Sequence, residues 1–121
     1  MGLDLYAYKT KTPIPAIQFK EPEDAVEIHY WRKHYNLYEW MQQLYQAKGG
    51  KDEDFNLSTL RLDPADIDTL EKAVLEDSLP DTTGSLFGET NSDYAEYNLR
   101  FIATAREAFA QGYRVYFLGW W

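Results

Sequence analysis

Residues 114–121 read RVYFLGWW, an almost wholly apolar run that follows Gly112. Glycine commonly ends a helix, so this run is predicted to be a strand that follows a helix. Near the other end of the chain, residues 3–8 read LDLYAY, in which leucine and alanine alternate with polar or aromatic residues. This alternation is the period-two pattern of a strand with one buried side. Because both segments are apolar, we predict that they pair at the centre of a small sheet.

Three helices are predicted between these two strands. The second begins at Asp63 and Pro64, a capping residue followed by the residue type favoured at the first helical position. The third begins at Ser92 or Asp93 and ends at Gly112. The first is marked by apolar residues at the spacing of one helix face. These residues are Leu37, Trp40, Met41, Leu44 and Tyr45.

Two shorter strands complete the predicted sheet. Residues 26–31 have apolar side chains at every second position, and residues 55–62 form another apolar extended segment. The proline-rich stretch before the first of these is predicted to be a surface loop with a short extended piece at 16–19. A chain of 121 residues suits one domain, residues 1–121. We therefore expect an α+β fold, a small sheet packed on one face by about three helices.

The composition excludes several classes of protein. The chain has no cysteine, which removes disulfide frameworks, thiolate metal sites and cysteine nucleophiles. It has no apolar run of the roughly 18–20 residues that a membrane span needs, and its first residues lack the layout of a secretory signal. We therefore expect a cytoplasmic protein that does not associate with a membrane.

The charge is concentrated in one segment. Residues 52–96 hold thirteen acidic and two basic residues, a net charge of −11, whereas the whole chain has a net charge of −8. Phosphates would be repelled by such a segment, so nucleic acid is not expected as a ligand, and a basic protein partner is favoured. The alternative is that the charge only keeps an aromatic-rich chain in solution.

Both histidines lie in the stretch EIHYWRKHYNLYEW, residues 27–40. His29 and His34 are five residues apart, which on one helix would separate them by about 140° and prevent both from binding one metal ion. With His29 on a strand and His34 on a helix they could still meet, but the spacing does not require it. No metal-binding motif, nucleophile elbow or phosphate loop is recognisable. We predict no catalytic set, metal site or cofactor, and expect the histidines to be satisfied by local hydrogen bonds.

The same stretch contains a candidate ligand site. Arg32 and Lys33 precede the first helix, where free amide groups can bind an anion. Cations at this end of a helix oppose its dipole, so either a bound anion or a carboxylate such as Asp4 or Glu27 must compensate. The first alternative predicts a site for a small anion or nucleotide, and the second predicts a structural ion pair. The candidate ligand residues are Arg32, Lys33, His34, Asn36 and Tyr38.

The aromatic residues exceed what a core of this size can hide. The chain has twenty of them, and partly exposed tyrosine and tryptophan are typical of interface hot spots. They indicate contact with a partner protein or a second copy of the chain, a homodimer. Closure of the core is the alternative for Trp121. The candidate interface residues are Trp31, Tyr35, Trp120 and Trp121.

Four sequence features occur together: the start MGLDLYAY, the stretch EIHYWRKHYNLYEW, a later GSLFGET segment and an aromatic final strand. In this combination the chain resembles a family of small phage, prophage and bacterial proteins with an MGLD start and a YWRK segment. The resemblance covers nearly the whole chain, with gaps in the proline-rich loop and around KGGKDED. This chain departs from the family's pattern at Tyr38, where such proteins often have histidine, and at Trp120, which replaces a small polar residue.

These observations lead to two competing hypotheses. The first is a non-enzymatic, acidic protein of phage type that binds a basic protein and can modulate a host protein. The second is a small anion- or nucleotide-binding domain, or an enzyme, centred on Arg32, His34 and Asn36. The first is favoured by the charge, the surplus of rings and the lack of a recognisable catalytic set.

Overall fold

The computed structural model describes residues 3–32, 34–50, 58–76, 78–79 and 93–120. Within these ranges the chain forms a four-stranded sheet and three helices, which confirms the predicted α+β fold. The elements in chain order are β1 (Asp4–Thr10), β2 (Val26–Arg32), α1 (Tyr35–Ala47), β3 (Thr59–Leu62), α2 (Pro64–Leu75), α3 (Asp93–Ala110) and β4 (Arg114–Trp120).

The sheet has the strand order β2-β1-β4-β3, and neighbouring strands are antiparallel. The segments that are most distant in sequence, β1 and β4, therefore pair at its centre, as predicted. Their register runs from Asp4 opposite Trp120 to Thr10 opposite Arg114. The predicted extended piece in the proline-rich loop is also present, since Ile17 forms an isolated bridge with Leu60 of β3.

One face of the sheet packs against the helices. Leu5 and Ala7 of β1 lie on this side, and both are fully buried. They lie opposite Trp31 and His29 of β2, which directs those two rings towards the helices as well. Tyr30 lies on the other face. Tyr30, which occupies one of the alternating positions predicted to be apolar in β2, thus faces away from the core.

The helices contribute their predicted faces to this core. In α1, Leu37, Met41 and Tyr45 are fully buried, while Trp40 and Leu44 are half-buried against the same cluster. Burial of these large side chains supplies the main favourable term in folding. The buried residues of α3 on the same cluster are Phe101, Ile102, Ala105 and Ala108.

The ends of the helices follow from local chemistry. Pro64 is the first residue of α2, and the Asp66 carboxylate accepts a hydrogen bond from the Asp63 backbone at 2.8 Å, which satisfies one of the free amides at that end. After α3, Gly112 adopts a φ of +86°, a conformation that costs glycine little. The Tyr113 amide then donates to the Ala108 carbonyl at 2.9 Å. The proposed cap Ser92 lies outside the described residues.

Lys48 connects the end of α1 to the start of α2. Its ammonium lies 2.6 Å from the Asp66 carboxylate and 3.4 Å from that of Asp63, and the side chains of Lys48 and Asp66 are only 14% and 17% exposed. The same ammonium donates to the Arg61 carbonyl. This ion pair is therefore largely shielded from solvent.

Lys48→Met is expected to lower the free energy of unfolding by roughly 2–4 kcal/mol, because it leaves a nearly buried carboxylate without its cation. The measurement is urea denaturation at neutral pH. Arg100→Met is the control, since it removes an ion pair with Glu96 in which both side chains are mostly exposed. Such a pair contributes little. Equal effects of the two changes would contradict the role assigned to Lys48.

Candidate functional site

The described members of the predicted ligand set, Arg32, His34, Asn36 and Tyr38, do not share one exposed surface. Arg32 is exposed at the end of β2, whereas His34 is fully buried and Asn36 is 8% exposed. The half-buried Tyr38 packs beside Gly119. Arg32 lies opposite Asp4 across the strand pair, one of the carboxylates expected near it. Lys33 lies outside the described residues, so this part of the predicted site stays a prediction.

His34 belongs to a buried chain of hydrogen bonds. The Trp31 indole donates through Nε1 to Asn98 Oδ1 at 2.9 Å, and Asn98 Nδ2 lies 3.0 Å from His34 Nε2. Asn98 on α3 is 2% exposed. Burial lowers the pKa of His34 to about 4, an effect only partly opposed by the bond with Asn98. The imidazole is therefore neutral at pH 7 and accepts the amide hydrogen. His34 is thus hydrogen-bonded as expected, but the partner lies 64 residues away in the chain and is not local.

His29 differs from His34 in its surroundings. Its ring lies among Trp31, Tyr97 and Phe101, with centroid separations of 4.6, 4.3 and 5.5 Å. Its buried Nε2 atom has no hydrogen-bond partner among the described residues. Burial lowers its pKa, while a backbone hydrogen bond at Tyr97 opposes the shift. The expectation of a satisfied histidine is therefore not met at this nitrogen. In the described ranges no three histidine or acidic side chains cluster as metal ligands would.

None of the three described helices packs on the opposite face of the sheet, and we call it the helix-free face. In an antiparallel sheet directly opposed residues project to the same side. The register therefore places Tyr30, Tyr6 and Leu118 in one row across the sheet, and Glu27, Tyr8 and Tyr116 in the next. The residues of the helix-free face used below are Asp4, Tyr6, Tyr8, Glu27, Tyr30, Arg32, Arg61, Tyr116, Leu118 and Trp120.

The rings on this face form a continuous series. Tyr30 and Tyr6 have centroids 5.2 Å apart, Tyr6 and Tyr8 6.2 Å, and Tyr8 and Tyr116 5.0 Å. Phe19, from the proline-rich loop, packs edge-on against Tyr116 at 5.2 Å. Because the loop lies over Tyr116, that ring is fully buried, whereas Tyr6, Tyr8 and Tyr30 are only half-buried. Three tyrosine rings thus remain accessible at the surface.

Carboxylates accompany the rings. The Tyr30 hydroxyl donates to Asp4 and the Tyr116 hydroxyl donates to Glu21 at 2.9 Å. The hydrogen bond to Asp4 raises the pKa of Tyr30 to about 12. Burial, with smaller contributions from the charges of Glu21 and Glu27, raises the pKa of Tyr8 to about 12. These phenols therefore remain neutral, and negative charge on the face comes from the carboxylates.

The predicted interface residues occupy different places. Trp120 lies on the helix-free face and is 56% exposed. Trp31 is 1% exposed and packs against Phe101, so it is a core residue and offers no surface to a partner. The half-buried Tyr35 packs against the core cluster. Trp121 lies outside the described residues. Of this set, Trp120 is the residue that combines an aromatic ring with a described exposed position.

Most of the carboxylates described in the acidic segment lie beside cations. Six carboxylates of residues 52–96 have described side chains, and five of them form ion pairs. Arg106 alone binds Asp68 at 2.8 Å and Glu71 at 2.7 Å. The described part of the segment is therefore largely compensated by cations. The five are Asp63, Asp66, Asp68, Glu71 and Glu96.

The comparisons with known proteins give no relative. No family model, no curated protein and no solved structure matches the chain. A separate search of the described helices for membrane-crossing segments found none that is both long and apolar enough.

Proposed function

We propose that this chain is a non-enzymatic, cytoplasmic protein-interaction module of phage type that binds a basic segment of a partner protein on its helix-free face. The observation that supports the proposal is the series of adjacent rings of Tyr30, Tyr6 and Tyr8, with the Asp4 and Glu27 carboxylates on the same face. On the resemblance noted above, the partner is a host or phage protein whose activity the module modulates.

The chemistry of the face suits arginine and lysine side chains. A guanidinium or ammonium group is attracted to the face of a tyrosine ring, and more strongly where solvent is partly excluded. Carboxylates add charge-assisted hydrogen bonds, for which the planar guanidinium is especially well suited. Asp4 in β1 is paired with Arg32 of β2, and Glu27 in β2 is paired with Tyr8 of β1, so both carboxylates lie on the same face as the rings. Rings and carboxylates on the same face therefore offer both types of contact to a cation.

An extended segment fits the spacing of the face. Side chains on one side of a strand are about 6.5–7 Å apart, and the Tyr6 and Tyr8 rings are 6.2 Å apart. An extended peptide with basic residues at every second position would therefore meet successive rings. Exposed Trp120 extends the aromatic surface at the end of β4. The occupant that we propose is accordingly a basic peptide segment in an extended conformation.

A second copy of the chain is the competing occupant. Both copies would carry Asp4 and Glu27 on the contact face and a net charge of −8 each. Like charges brought together oppose association. A basic partner is therefore favoured over a homodimer. Sedimentation of the free protein at two concentrations decides this, and a dimer that buries this face would contradict the proposal.

Glu27→Lys is expected to weaken binding of a fluorescein-labelled oligoarginine peptide by at least about tenfold, because one attractive charge becomes repulsive. Fluorescence anisotropy measures the dissociation constant, and added salt is expected to weaken wild-type binding. The matched control is Glu96→Lys, the same reversal at an exposed site on α3. It should change the affinity less than Glu27→Lys does.

Two results would contradict this proposal. One is the absence of peptide binding to the wild-type protein at low salt. The other is an equal loss of affinity in the two charge reversals, which would mean that only the net charge matters. Trp120→Ala provides an independent check, since it removes an exposed ring from the face without changing charge. It should weaken binding and leave the salt dependence unchanged.

A further inference from the structure

A cavity of about 330 Å³ lies at the end of the sheet where β3 ends and β4 begins. The ends of β3 and α3 and the starts of α2 and β4 line it. Arg61 and Arg114 approach it from the strands, and Phe109 and Tyr113 contribute rings from the end of α3 and the turn that follows. We call it the Tyr113 cavity. It lies at the opposite end of β4 from Trp120.

Positive charge is concentrated around this cavity. The ammonium groups of Lys9 and Lys11 lie 4.5 and 4.4 Å from the centroid of the Tyr113 ring. Arg61 and Arg114 line the cavity, and Lys9 and Lys11 lie against the Tyr113 ring in its wall, so four cationic side chains are grouped at this end of the sheet. In a protein with a net charge of −8 this is a local reversal of sign. A field of this kind attracts anions.

Two carboxylates near the cavity are already engaged. Asp63 lines it, but its carboxylate lies 2.9 Å from Arg61 Nε and 3.4 Å from the Lys48 ammonium. Asp24 accepts hydrogen bonds from the Lys11 amide and from the hydroxyl of Thr10. These contacts leave the charges of Arg114 and of the Lys11 ammonium without a carboxylate among the described ion pairs.

Arg114 and Lys11 retain hydrogen-bonding capacity. Arg114 donates through Nη1 to the Lys11 carbonyl at 3.1 Å, and Lys11 Nζ donates to the Gln111 carbonyl at 2.7 Å. A guanidinium has five N–H donors and an ammonium has three. Most of these donors are not used by the described contacts. Arg61, in contrast, already donates to Asp63 and to the Ile14 carbonyl, so it supplies charge rather than further hydrogen bonds.

We propose that the Tyr113 cavity binds a small anionic molecule that carries an aromatic ring. The anionic group, a phosphate or a carboxylate, is held by Arg114 and Lys11, and the ring packs against the apolar wall that includes Phe109 and Pro64. Pockets for small ligands commonly combine such an apolar wall with a few polar groups. The cavity shares Arg61 with the helix-free face, but Pro64, Phe109 and Tyr113 lie outside that face. The absence of phenyl phosphate binding would therefore not contradict the proposed protein interaction.

Thermal stability with phenyl phosphate tests the proposal. A ligand of the folded state raises the melting temperature, so phenyl phosphate is expected to raise it in a concentration-dependent way and by more than inorganic phosphate does. Adenosine monophosphate is the third compound tested. If it raises the melting temperature more than phenyl phosphate does, the class of ligand is a nucleotide. A smaller rise would leave simple aromatic anions as that class.

Arg114→Gln is expected to weaken phenyl phosphate binding about tenfold, since a hydrogen bond to a charged group is lost. The control is Arg100→Gln, which removes the same charge from an exposed position on α3 and should leave binding unchanged. No rise in melting temperature with phenyl phosphate would overturn the proposal. So would an equal rise with inorganic phosphate, or an equal loss of affinity in both variants.

Discussion

Asn98→Leu is expected to lower the free energy of unfolding by about 4 kcal/mol, because two buried groups lose their hydrogen-bond partner together. Asn98 accepts from the Trp31 indole at 2.9 Å and lies 3.0 Å from His34 Nε2. All three side chains are at most 2% exposed, so water cannot replace the lost bonds without a rearrangement of the core. A buried group left unsatisfied costs roughly 1–3 kcal/mol, and domains are stable by only about 5–15 kcal/mol.

Urea denaturation of two further variants separates this effect from a change in packing. Asn98→Asp keeps an oxygen that accepts from the Trp31 indole. At a pH where His34 becomes protonated, Asn98→Asp should therefore lower the free energy of unfolding less than Asn98→Leu does. In the double variant Asn98→Leu with Trp31→Phe, one of the unsatisfied groups is removed. The two changes should therefore cost less together than the sum of their separate costs. If the free energy of unfolding of Asn98→Leu equals that of the wild type, this would contradict a structural role for this network.

The second large effect is a loss of stability on acidification, caused by His34. Its pKa is about 4 in the folded protein and about 6.5 in an unfolded chain. The unfolded state therefore takes up a proton first as the pH falls. The contribution of neutral His34 to the free energy of unfolding is therefore fully present above pH 6.5 and is lost progressively as the pH falls towards 4. The difference in pKa corresponds to about 3 kcal/mol. Burial lowers the pKa of His29 as well, which acts in the same direction.

Comparison with His34→Gln isolates this contribution. Denaturant unfolding is measured for both proteins across the range from pH 7 to pH 4, and the difference in free energy is taken at each pH. Carboxylates whose pKa is lowered by hydrogen bonds in the folded protein, such as Asp24 and Glu71, are present in both proteins, so their contributions cancel in the difference. The variant should lose less stability than the wild type. Parallel curves would mean that His34 does not titrate as its burial indicates.

Much of the fold could be predicted because its signals are local. The alternation in β1, the cap and proline at Asp63 and Pro64, and the glycine after α3 each depend on a few neighbouring residues. The central pairing of β1 with β4 also followed, because both segments are apolar and a central strand has no solvent-exposed edge. In each case the backbone chemistry of a short segment determined the element.

The inner side of β2 could not be predicted in the same way. Tyr30 and Trp31 are adjacent aromatic residues, and either could face a core. The choice depends on register, since Leu5 lies opposite Trp31 and directs it inward. For this reason the sequence suggested Trp31 as an interface residue, although the ring is buried. A one-residue shift in register would exchange the two faces.

Asn98 gave no signal at all in the sequence. Its partners Trp31 and His34 are 67 and 64 residues away, and an asparagine in a helix is ordinarily read as a surface residue. The ion pairs of the acidic segment were hidden for the same reason, because Lys48 and Arg106 bind carboxylates far from them in the chain. A count of charge along the sequence therefore missed the cations that lie beside the described carboxylates of that segment.

Chemical-shift mapping by NMR tests the central claim most directly, the binding of a basic segment on the helix-free face. Oligoarginine peptide is titrated into the labelled protein at low salt, and the ring and backbone shifts are followed. We expect the largest chemical-shift changes at Tyr6, Tyr8, Tyr30 and Trp120, and we expect added salt to reverse them. Changes concentrated on the exposed surfaces of α2 and α3, or spread evenly over the carboxylates of the protein, would contradict it.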